Sequence, residues 1–487
     1  MKDEITEKNM IHSFKFNDDF FVIDRISGAV HQVDEPAFQI INKIDDILSN
    51  RIESESENKL LTENLYNTIL DEVQDRWSKK IVKRVFSEVK QLVDEGNLFS
   101  QVEPYKHKRL LDDLMKDHVK ALCLNISHAC NMKCKYCFAD GGTFGTEDTN
   151  AGLMNFETAK NAVDFLLEMS GEKKNCEIDF FGGEPLLNWD VIIKTVDYAI
   201  EKAKKYDKNI RFTLTTNGLL LSREIMEYLN NYDFAVVLSL DGRKEIHDFN
   251  RKDKHSRNTY ERILPAYKEF VESRNHREYF IRGTFTLDNL DFSNDVLHLA
   301  ELGFKEISLE PVISLPENRH SLENTDFATI QQEYKKLALA YEKKAKEGKG
   351  FSFYHFEIDL EGGPCEKKRL SGCGAGTEYL AVTPNGDIYP CHQFVGRSQF
   401  LMGNINESFK LKDRVQQVFK DNNFLNKRAC KDCWAKFYCG GGCHANAFLF
   451  NGNLEEPYST GCRLEKVRLE CAIYLASKGV LQRHENA

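Results

Sequence analysis

The pattern of apolar and polar residues divides the chain into three regions, and the first begins with strands. Residues 11–33 alternate apolar and polar positions around polar turns, which predicts two or three short antiparallel strands. Asp34-Glu35-Pro36 then has the acidic residues and the proline that are typical of a helix start, and an amphipathic helix is predicted over 81–93. We therefore expect residues 1–103 to form a small α+β domain.

From residue 119 the rhythm changes to an apolar strand, a loop and a helix, repeated. The predicted strands cover 120–126, 176–181, 210–215, 234–240, 279–286 and 305–311. The predicted helices cover 156–169, 189–205, 222–231, 258–274, 293–302 and 326–347. Helices of this length between strands predict parallel βαβ units, so we expect an α/β sheet or partial barrel over 119–347. The charged segment 104–118 before it is predicted to be a linker helix.

The first predicted strand of this region leads into a cluster of cysteines. Cys130, Cys134 and Cys137 form a CxxxCxxC pattern. Three thiolates this close together can hold three irons of a 4Fe–4S cube, and the nearby sequence offers no fourth cysteine. An iron without a protein ligand is suited to an enzyme that binds a small molecule on its cluster, and is of no use to a simple electron carrier.

Three further loops follow predicted strands and carry glycine beside polar residues. They are Gly182-Gly183-Glu184-Pro185, Thr215-Thr216-Asn217-Gly218 and Ser239-Leu240-Asp241-Gly242. Each alone is typical of an ordinary turn. In parallel α/β folds, however, the loops at the carboxyl ends of the strands form the ligand face. We therefore expect Glu184 and Asn217 to add polar groups beside the cysteine loop.

A third region begins near Gly348-Lys349-Gly350 and carries most of the remaining cysteines. They are Cys365, Cys373, Cys391, Cys430, Cys433, Cys439, Cys443 and Cys462. On count alone, these cysteines suit two zinc ions or two 4Fe–4S clusters equally well. Cys123, Cys176 and Cys471 are left over and are predicted to be buried small side chains.

Composition limits the class of protein. The chain has 487 residues, 41% hydrophobic and 29% charged, as in a soluble protein of two or three domains. A net charge of -10 argues against a nucleic-acid or anionic-membrane partner. With no signal-peptide or membrane-spanning pattern, we expect a cytoplasmic protein whose 14 cysteines bind metal in a reducing compartment.

These motifs resemble the radical S-adenosylmethionine (radical SAM) superfamily, which combines CxxxCxxC with Gly-Gly-Glu-Pro on a partial (β/α)6 barrel. The resemblance implies that S-adenosylmethionine chelates the open iron of the first cluster. It also implies the cofactor contacts: Gly182, Gly183 and Glu184 at the methionyl amine, Tyr136 near the adenine, Ser239 near the ribose and Arg282 at the carboxylate.

The C-terminal cysteines of residues 348–487 resemble the SPASM extension, which holds two auxiliary 4Fe–4S clusters. The resemblance implies an inner cluster on Cys365, Cys373, Cys391 and Cys443, and an outer cluster on Cys430, Cys433, Cys439 and Cys462. If Cys365 is not a ligand, the inner cluster has an open iron that could bind a substrate thiolate.

The N-terminal region resembles the winged-helix domain that binds the leader of ribosomally made peptides, and would capture the leader by strand addition. The whole architecture is similar to maturases that place thioether crosslinks in cysteine-rich peptides, the SCIFF-type, ranthipeptide and sactipeptide group. This resemblance implies a cysteine-rich precursor peptide, a 5′-deoxyadenosyl radical and a low-potential electron donor. The alternatives are formylglycine-type oxidation, carbon–carbon crosslinking, and, outside enzymes, an iron–sulfur electron-transfer or zinc-ribbon adaptor protein.

Overall fold

The computed structural model describes residues 9–50, 60–101, 118–144, 152–315, 317–322, 324–358, 360, 370 and 372–481. The N-terminal region contains an antiparallel sheet in the order β1-β2-β3, followed by helices. Its elements are β1 Ile11–Phe16, β2 Asp19–Asp24, β3 Val30–Val33, α1 Glu35–Ser49, α2 Glu63–Val73 and α3 Lys79–Asp94. The predicted strands and the helix start are confirmed, since the Asp34 carboxylate accepts a hydrogen bond from the amide of Ala37 at 2.9 Å and caps α1. Helix α2 was not predicted.

The central region alternates strands and helices and forms a parallel sheet. Its strands are β4 Ala121–Ser127, β6 Asn175–Gly182, β7 Asn209–Thr216, β8 Ala235–Ser239, β10 Tyr279–Phe285 and β11 Glu306–Pro311. Its helices are α4 Phe156–Met169, α5 Trp189–Lys205, α6 Arg223–Asn231, α7 Lys244–Asn250, α8 Tyr260–Ser273, α9 Ser293–Glu301 and α10 Phe327–Lys346. A short separate ribbon pairs β5 Met132–Cys134 with β9 Arg251–Asp253. All six predicted strands are confirmed to within two residues, because each is a short apolar run between loops.

The third region extends the same sheet at both edges. Strand β12 Ser352–Phe353 pairs in parallel with β11, and β13 Tyr379–Val382 pairs in parallel with β4. Strands β14 Asp387–Tyr389 and β15 Gly403–Asn404 continue from β13, so the sheet has ten strands within the described residues. The remaining helices are α11 Asp413–Asp421, α12 Arg428–Lys431, α13 Lys436–Cys439, α14 His444–Asn451 and α15 Ser459–Ser477.

The two faces of the central sheet have opposite character. On β6, Ile178 and Phe180 are fully buried and pack in the main hydrophobic core with the surrounding helices. Asp179 and Phe181 alternate with them and lie on the other, concave face. On β6 the concave face is therefore the less deeply buried of the two.

The N-terminal sheet packs on the C-terminal helix and on the segment between Cys433 and Cys439. Phe16 stacks on Tyr474 of α15 at 4.1 Å between ring centroids, and His12 stacks on Trp434 at 4.1 Å. Lys478 pairs with Asp19 at 2.6 Å. The predicted linker helix covers residues 104–118, and all of it except residue 118 lies outside the described residues. No helix in the described part of the chain is long and apolar enough to cross a membrane.

Candidate active site

The CxxxCxxC loop lies at the carboxyl end of β4, as predicted. Backbone N–H groups point at two of its sulfurs, since the amide of Met132 donates to Cys130 Sγ at 3.4 Å and that of Gly141 to Cys137 Sγ at 3.3 Å. Burial raises the pKa of the Cys130 thiol to about 11 and that of Cys134 to about 12. Both thiols are therefore protonated at neutral pH in the absence of a metal, and a bound metal would have to supply the positive charge that stabilises their thiolates.

Gly182 and Gly183 bring the end of β6 against the cysteine loop. Gly182 has φ +131°, and a Cβ atom there would lie 2.2 Å from the carbonyl oxygen of Ser127. A Cβ at Gly183 would lie 2.4 Å from the carbonyl oxygen of Ala129 and 3.1 Å from Cys130 Cβ. Only glycine allows this approach, so the backbone after β6 forms one wall of the predicted cluster site.

Glu184 and Asn217 connect this wall to the next strand. The buried Glu184 carboxylate accepts hydrogen bonds from the Thr216 hydroxyl at 2.8 Å, the Leu186 amide at 3.1 Å and the Asn217 amide at 2.8 Å. Burial raises the pKa of Glu184 to about 7. The Asn217 side-chain amide lies 3.7 Å from Cys130 Sγ. The structure therefore brings together three of the loops that the sequence analysis singled out.

Tyr136 belongs to a buried polar cluster that the sequence analysis missed. Its hydroxyl donates to Asp241 at 2.6 Å and accepts from Arg251 Nε at 2.7 Å, and Arg251 also pairs with Asp241 at 2.9 Å. Arg251 lies opposite Cys134 in the backbone register of the β5–β9 ribbon. Burial raises the pKa of the Cys134 thiol, and the charge of Arg251 lowers it by a smaller amount. Arg251 therefore places a cation beside the first cluster site. In the sequence, the position of Asp241 after a predicted strand is the only signal for this cluster, and no motif near Arg251 indicates its role.

The concave face next to this loop carries Asp179, Ser239, Arg282 and Glu310. Ser239 ends β8 and lies in register with Arg282 on β10. Arg282 is exposed, and its side chain makes no hydrogen bond or ion pair with any described residue. Glu310 on β11 pairs with His355 at 2.9 Å, and the charges of His355 and Arg468 hold the pKa of its carboxyl below the usual range against the larger opposing effect of burial.

Asp179 differs from Glu310 in that its carboxylate accepts neutral hydrogen bonds and has no cationic partner within ion-pair distance among the described residues. It accepts a hydrogen bond from the Thr213 hydroxyl at 2.8 Å and also contacts the Cys123 thiol. No ion pair to Asp179 occurs among the described residues. Burial therefore raises its pKa to about 6. Cys123, Cys176 and Cys471 are all buried, as predicted for cysteines outside the metal sites.

The SPASM-like cysteines form two groups. In the first group, the charges of Cys443 and Cys373 raise the pKa of Cys391, in addition to the larger effect of burial. In the second group, the pKa of Cys439 is raised in the same way by Cys462, Cys430 and Cys433. Cys365 lies outside the described residues. Within the described ranges no three His, Cys, Asp or Glu side chains converge on a single-ion site. A cube does not require such convergence, because each of its irons takes one thiolate.

The first loop and the inner group approach each other across the concave face. Phe138, which follows Cys137, lies 5.6 Å from His392, which follows Cys391, measured between ring centroids. His392 also packs at 4.9 Å on Phe181, from the concave face of β6. The space between these residues is thus bordered by the CxxxCxxC loop and by the Cys391 group, both of which are predicted to bind clusters.

Comparison with known proteins agrees with this geometry. The model of the Radical SAM superfamily matches residues 124–291, and that of an iron–sulfur cluster-binding domain, SPASM, matches residues 373–434. The chain is 33% identical over 324 residues to an uncharacterised protein of Methanocaldococcus jannaschii, across 66% of this chain and 97% of that protein. It is 24% identical over 481 residues to the radical SAM cyclopropyl synthase TigE of Paramaledivibacter caminithermalis, across 95% of this chain and 94% of TigE.

Solved structures show the same fold. Native anSMEcpe with bound AdoMet and Cp18Cys peptide matches with a TM-score of 0.61 and 24% sequence identity, across 74% of this chain and 98% of that chain. The chain belongs to the radical SAM superfamily and carries a SPASM domain. It is a radical SAM enzyme whose relatives modify peptides or proteins, and its cofactors are S-adenosylmethionine and 4Fe–4S clusters.

Proposed function

We propose that this enzyme joins cysteine sulfur to a carbon atom within a ribosomally made precursor peptide, forming thioether crosslinks. The observation that carries the proposal is the position of the concave face, which lies between the CxxxCxxC loop and the Cys391 group. Bound S-adenosylmethionine and the clusters supply a 5′-deoxyadenosyl radical that removes hydrogen from carbon and an acceptor for the remaining electron. The residues of the chain must then position the peptide and accept the proton that the cysteine thiol loses.

Asp179 is the residue we assign to that proton. Forming a carbon–sulfur bond removes one hydrogen atom from carbon, one proton from the thiol and one electron. Asp179 lies on the concave face, and its pKa of about 6 leaves it ionised at neutral pH and able to accept the thiol proton. Glu310 is a weaker base, because its cationic neighbours favour the ionised form.

The contacts with S-adenosylmethionine remain proposals that the geometry supports. Glu184 has one lone-pair position left on Oε2 after its three hydrogen bonds, and this position can accept the methionyl amine. The glycine backbone at Gly182 and Gly183 borders the same space. Tyr136 toward the adenine, Ser239 toward the ribose and Arg282 toward the carboxylate complete the proposed set.

The N-terminal domain is proposed to bind the leader peptide along β3. A cleft of about 470 Å³ lies beside this strand. Its walls include Val30 of β3, Ala29 just before that strand, and Ile473 and Ala476 from α15. Strand addition at β3 would give main-chain hydrogen bonds, and the cleft would accept an apolar leader side chain.

The similarity to TigE favours a second candidate function. It extends over 95% of this chain, so it includes the N-terminal domain as well as the barrel. The second candidate is therefore formation of a carbon–carbon bond in the peptide, which also removes two hydrogens but leaves cysteine thiols free.

The test is incubation of the reconstituted enzyme with its candidate precursor, S-adenosylmethionine and a low-potential reductant. We expect deoxyadenosine and a peptide lighter by two hydrogens per crosslink. A precursor with the donor cysteine replaced by serine is the control, and it should keep its original mass. Deoxyadenosine without any change in peptide mass would refute the proposal while leaving the radical chemistry intact.

A further inference from the structure

A buried lysine lies between the two groups of auxiliary cysteines. Lys427 is only 3% exposed, which makes it the most deeply buried lysine among the described residues. Its Nζ donates to the carbonyl oxygen of Gly441 at 3.1 Å. Gly441 lies in the Gly440–Gly442 run that joins Cys439 of the outer group to Cys443 of the inner group. The ammonium group is therefore directed at the point where the two groups meet.

No carboxylate pairs with this lysine in the part of the chain that the structure describes. A buried ammonium group without a counter-charge is unfavourable even when it donates to a carbonyl, so an anion is expected beside it. Burial lowers the pKa of Lys427, while the charges of thiolates at Cys430, Cys439, Cys462 and Cys443 raise it. These cysteines come from both groups, so thiolates of both groups are close enough to act as the counter-charge.

A 4Fe–4S cluster with four thiolates is a net anion, and reduction makes it more negative. A cation nearby stabilises the reduced form, since the potential of a cluster depends on net charge and hydrogen bonds around it. We propose that the positive charge of Lys427 raises the reduction potentials of both auxiliary clusters. It would thereby make them better acceptors for the electron that the peptide chemistry releases. The inference depends on the clusters and not on which product is formed.

A second buried lysine provides a matched comparison. Lys436 is 8% exposed, and its Nζ donates to the carbonyl oxygen of Lys431 at 2.9 Å. Its charged neighbours are Arg25 and Asp432, which pair with each other at 3.4 Å, and Cys433 and Cys430 of the outer group. Lys436 should therefore affect the outer cluster alone. The exposed Lys431 should affect neither cluster.

The experiment is a redox titration of the full-length reconstituted protein, followed by electron paramagnetic resonance. The first cluster is set apart because its signal changes when S-adenosylmethionine is added. Lys427→Gln keeps an N–H donor for Gly441 but removes the charge, so we expect both auxiliary midpoint potentials to become more negative. A tenfold fall in the reduced-to-oxidised ratio would correspond to about 59 mV for a one-electron couple.

The companion variants decide whether charge is responsible. Lys427→Arg should restore both potentials, Lys436→Gln should shift one, and Lys431→Gln should shift none. Unchanged auxiliary potentials in Lys427→Gln at full iron content would overturn the proposal. If Lys427→Gln loses a cluster, Lys427→Arg decides the matter, because iron retained with wild-type potentials supports a charge effect and iron lost again indicates a purely structural role.

Discussion

Asp179 illustrates what a single buried carboxylate can do without an ion pair. Burial raises its pKa to about 6, so it is protonated below that pH and cannot then accept a thiol proton. We predict that crosslinking rises with pH through about 6, with a slope of about tenfold per pH unit on the acidic side. The measurement is the initial rate of crosslinked peptide against pH, with deoxyadenosine formation followed in parallel.

The Asp179→Asn variant isolates this role. General-base catalysis is typically worth about 10²–10⁴-fold, so crosslinking should fall by that factor while deoxyadenosine is still formed. Glu177→Gln, two residues away on the same face, is the control. It should keep activity and move the acidic limb slightly to lower pH, because the Glu177 charge raises the pKa of Asp179. An unaltered crosslinking rate in Asp179→Asn would exclude it as the base.

The Cys134→Ala variant tests whether Cys134 is a ligand of the first cluster. Cys134→Ala should remove one cube of three, so iron content should fall from about twelve to about eight per chain. Deoxyadenosine formation should be lost, because the open iron that binds S-adenosylmethionine is lost with that cube. Cys176→Ala, a buried cysteine outside the metal groups, should retain both iron and activity. Cleavage of S-adenosylmethionine by Cys134→Ala would contradict the assignment of the cluster.

Single residues differ greatly in how well the sequence predicts them. The three cysteines and Gly182-Gly183-Glu184 stand at short, fixed spacings, so the sequence pattern alone predicts them as site residues. Arg251 lies beside Cys134 because β5 and β9 pair, and Lys427 reaches the Gly441 carbonyl between the two cysteine groups because of the fold. Nothing in the local sequence distinguishes such a lysine or arginine from one on the surface.

At the scale of elements, the end of β6 tests how closely the strand must approach the cysteine loop. Gly182→Ala would place a Cβ 2.2 Å from the Ser127 carbonyl oxygen at φ +131°. The backbone conformation alone should cost about 1–3 kcal/mol. We predict a lower melting temperature and loss of iron from the first cluster. Gly152→Ala, whose Cβ would meet nothing within 4 Å, should change neither property.

Strands and helices of the barrel could be predicted because each has its own apolar pattern. Helix α4, for example, was predicted over its observed range, Phe156–Met169. Strands β12 and β13 were not, because they are only two and four residues long. Their pairing with β11 and β4 is long-range, and no local signal reveals that the third region completes the sheet of the second.

At the scale of the whole molecule, the N-terminal region and α15 line one cleft, which is the proposed leader site. Ala476→Arg would fill the cleft from the helix side, and Val30→Glu would place a charge in it from the strand side. Each should weaken leader binding about tenfold or more, equivalent to about 1.4 kcal/mol, as measured by fluorescence anisotropy of a labelled leader. Leu339→Arg, an exposed position outside this cleft, should bind normally. Unchanged affinity in both cleft variants would place the leader elsewhere.

The most direct test of thioether formation counts cysteine thiols in the product. The precursor is treated with the enzyme, S-adenosylmethionine and reductant, alkylated with iodoacetamide and analysed by fragmentation mass spectrometry. We predict that each loss of two hydrogens is accompanied by one cysteine that no longer reacts, and that the fragments on either side of the crosslink stay joined. Loss of two hydrogens with every cysteine still alkylated would contradict a carbon–sulfur bond and support the carbon–carbon alternative.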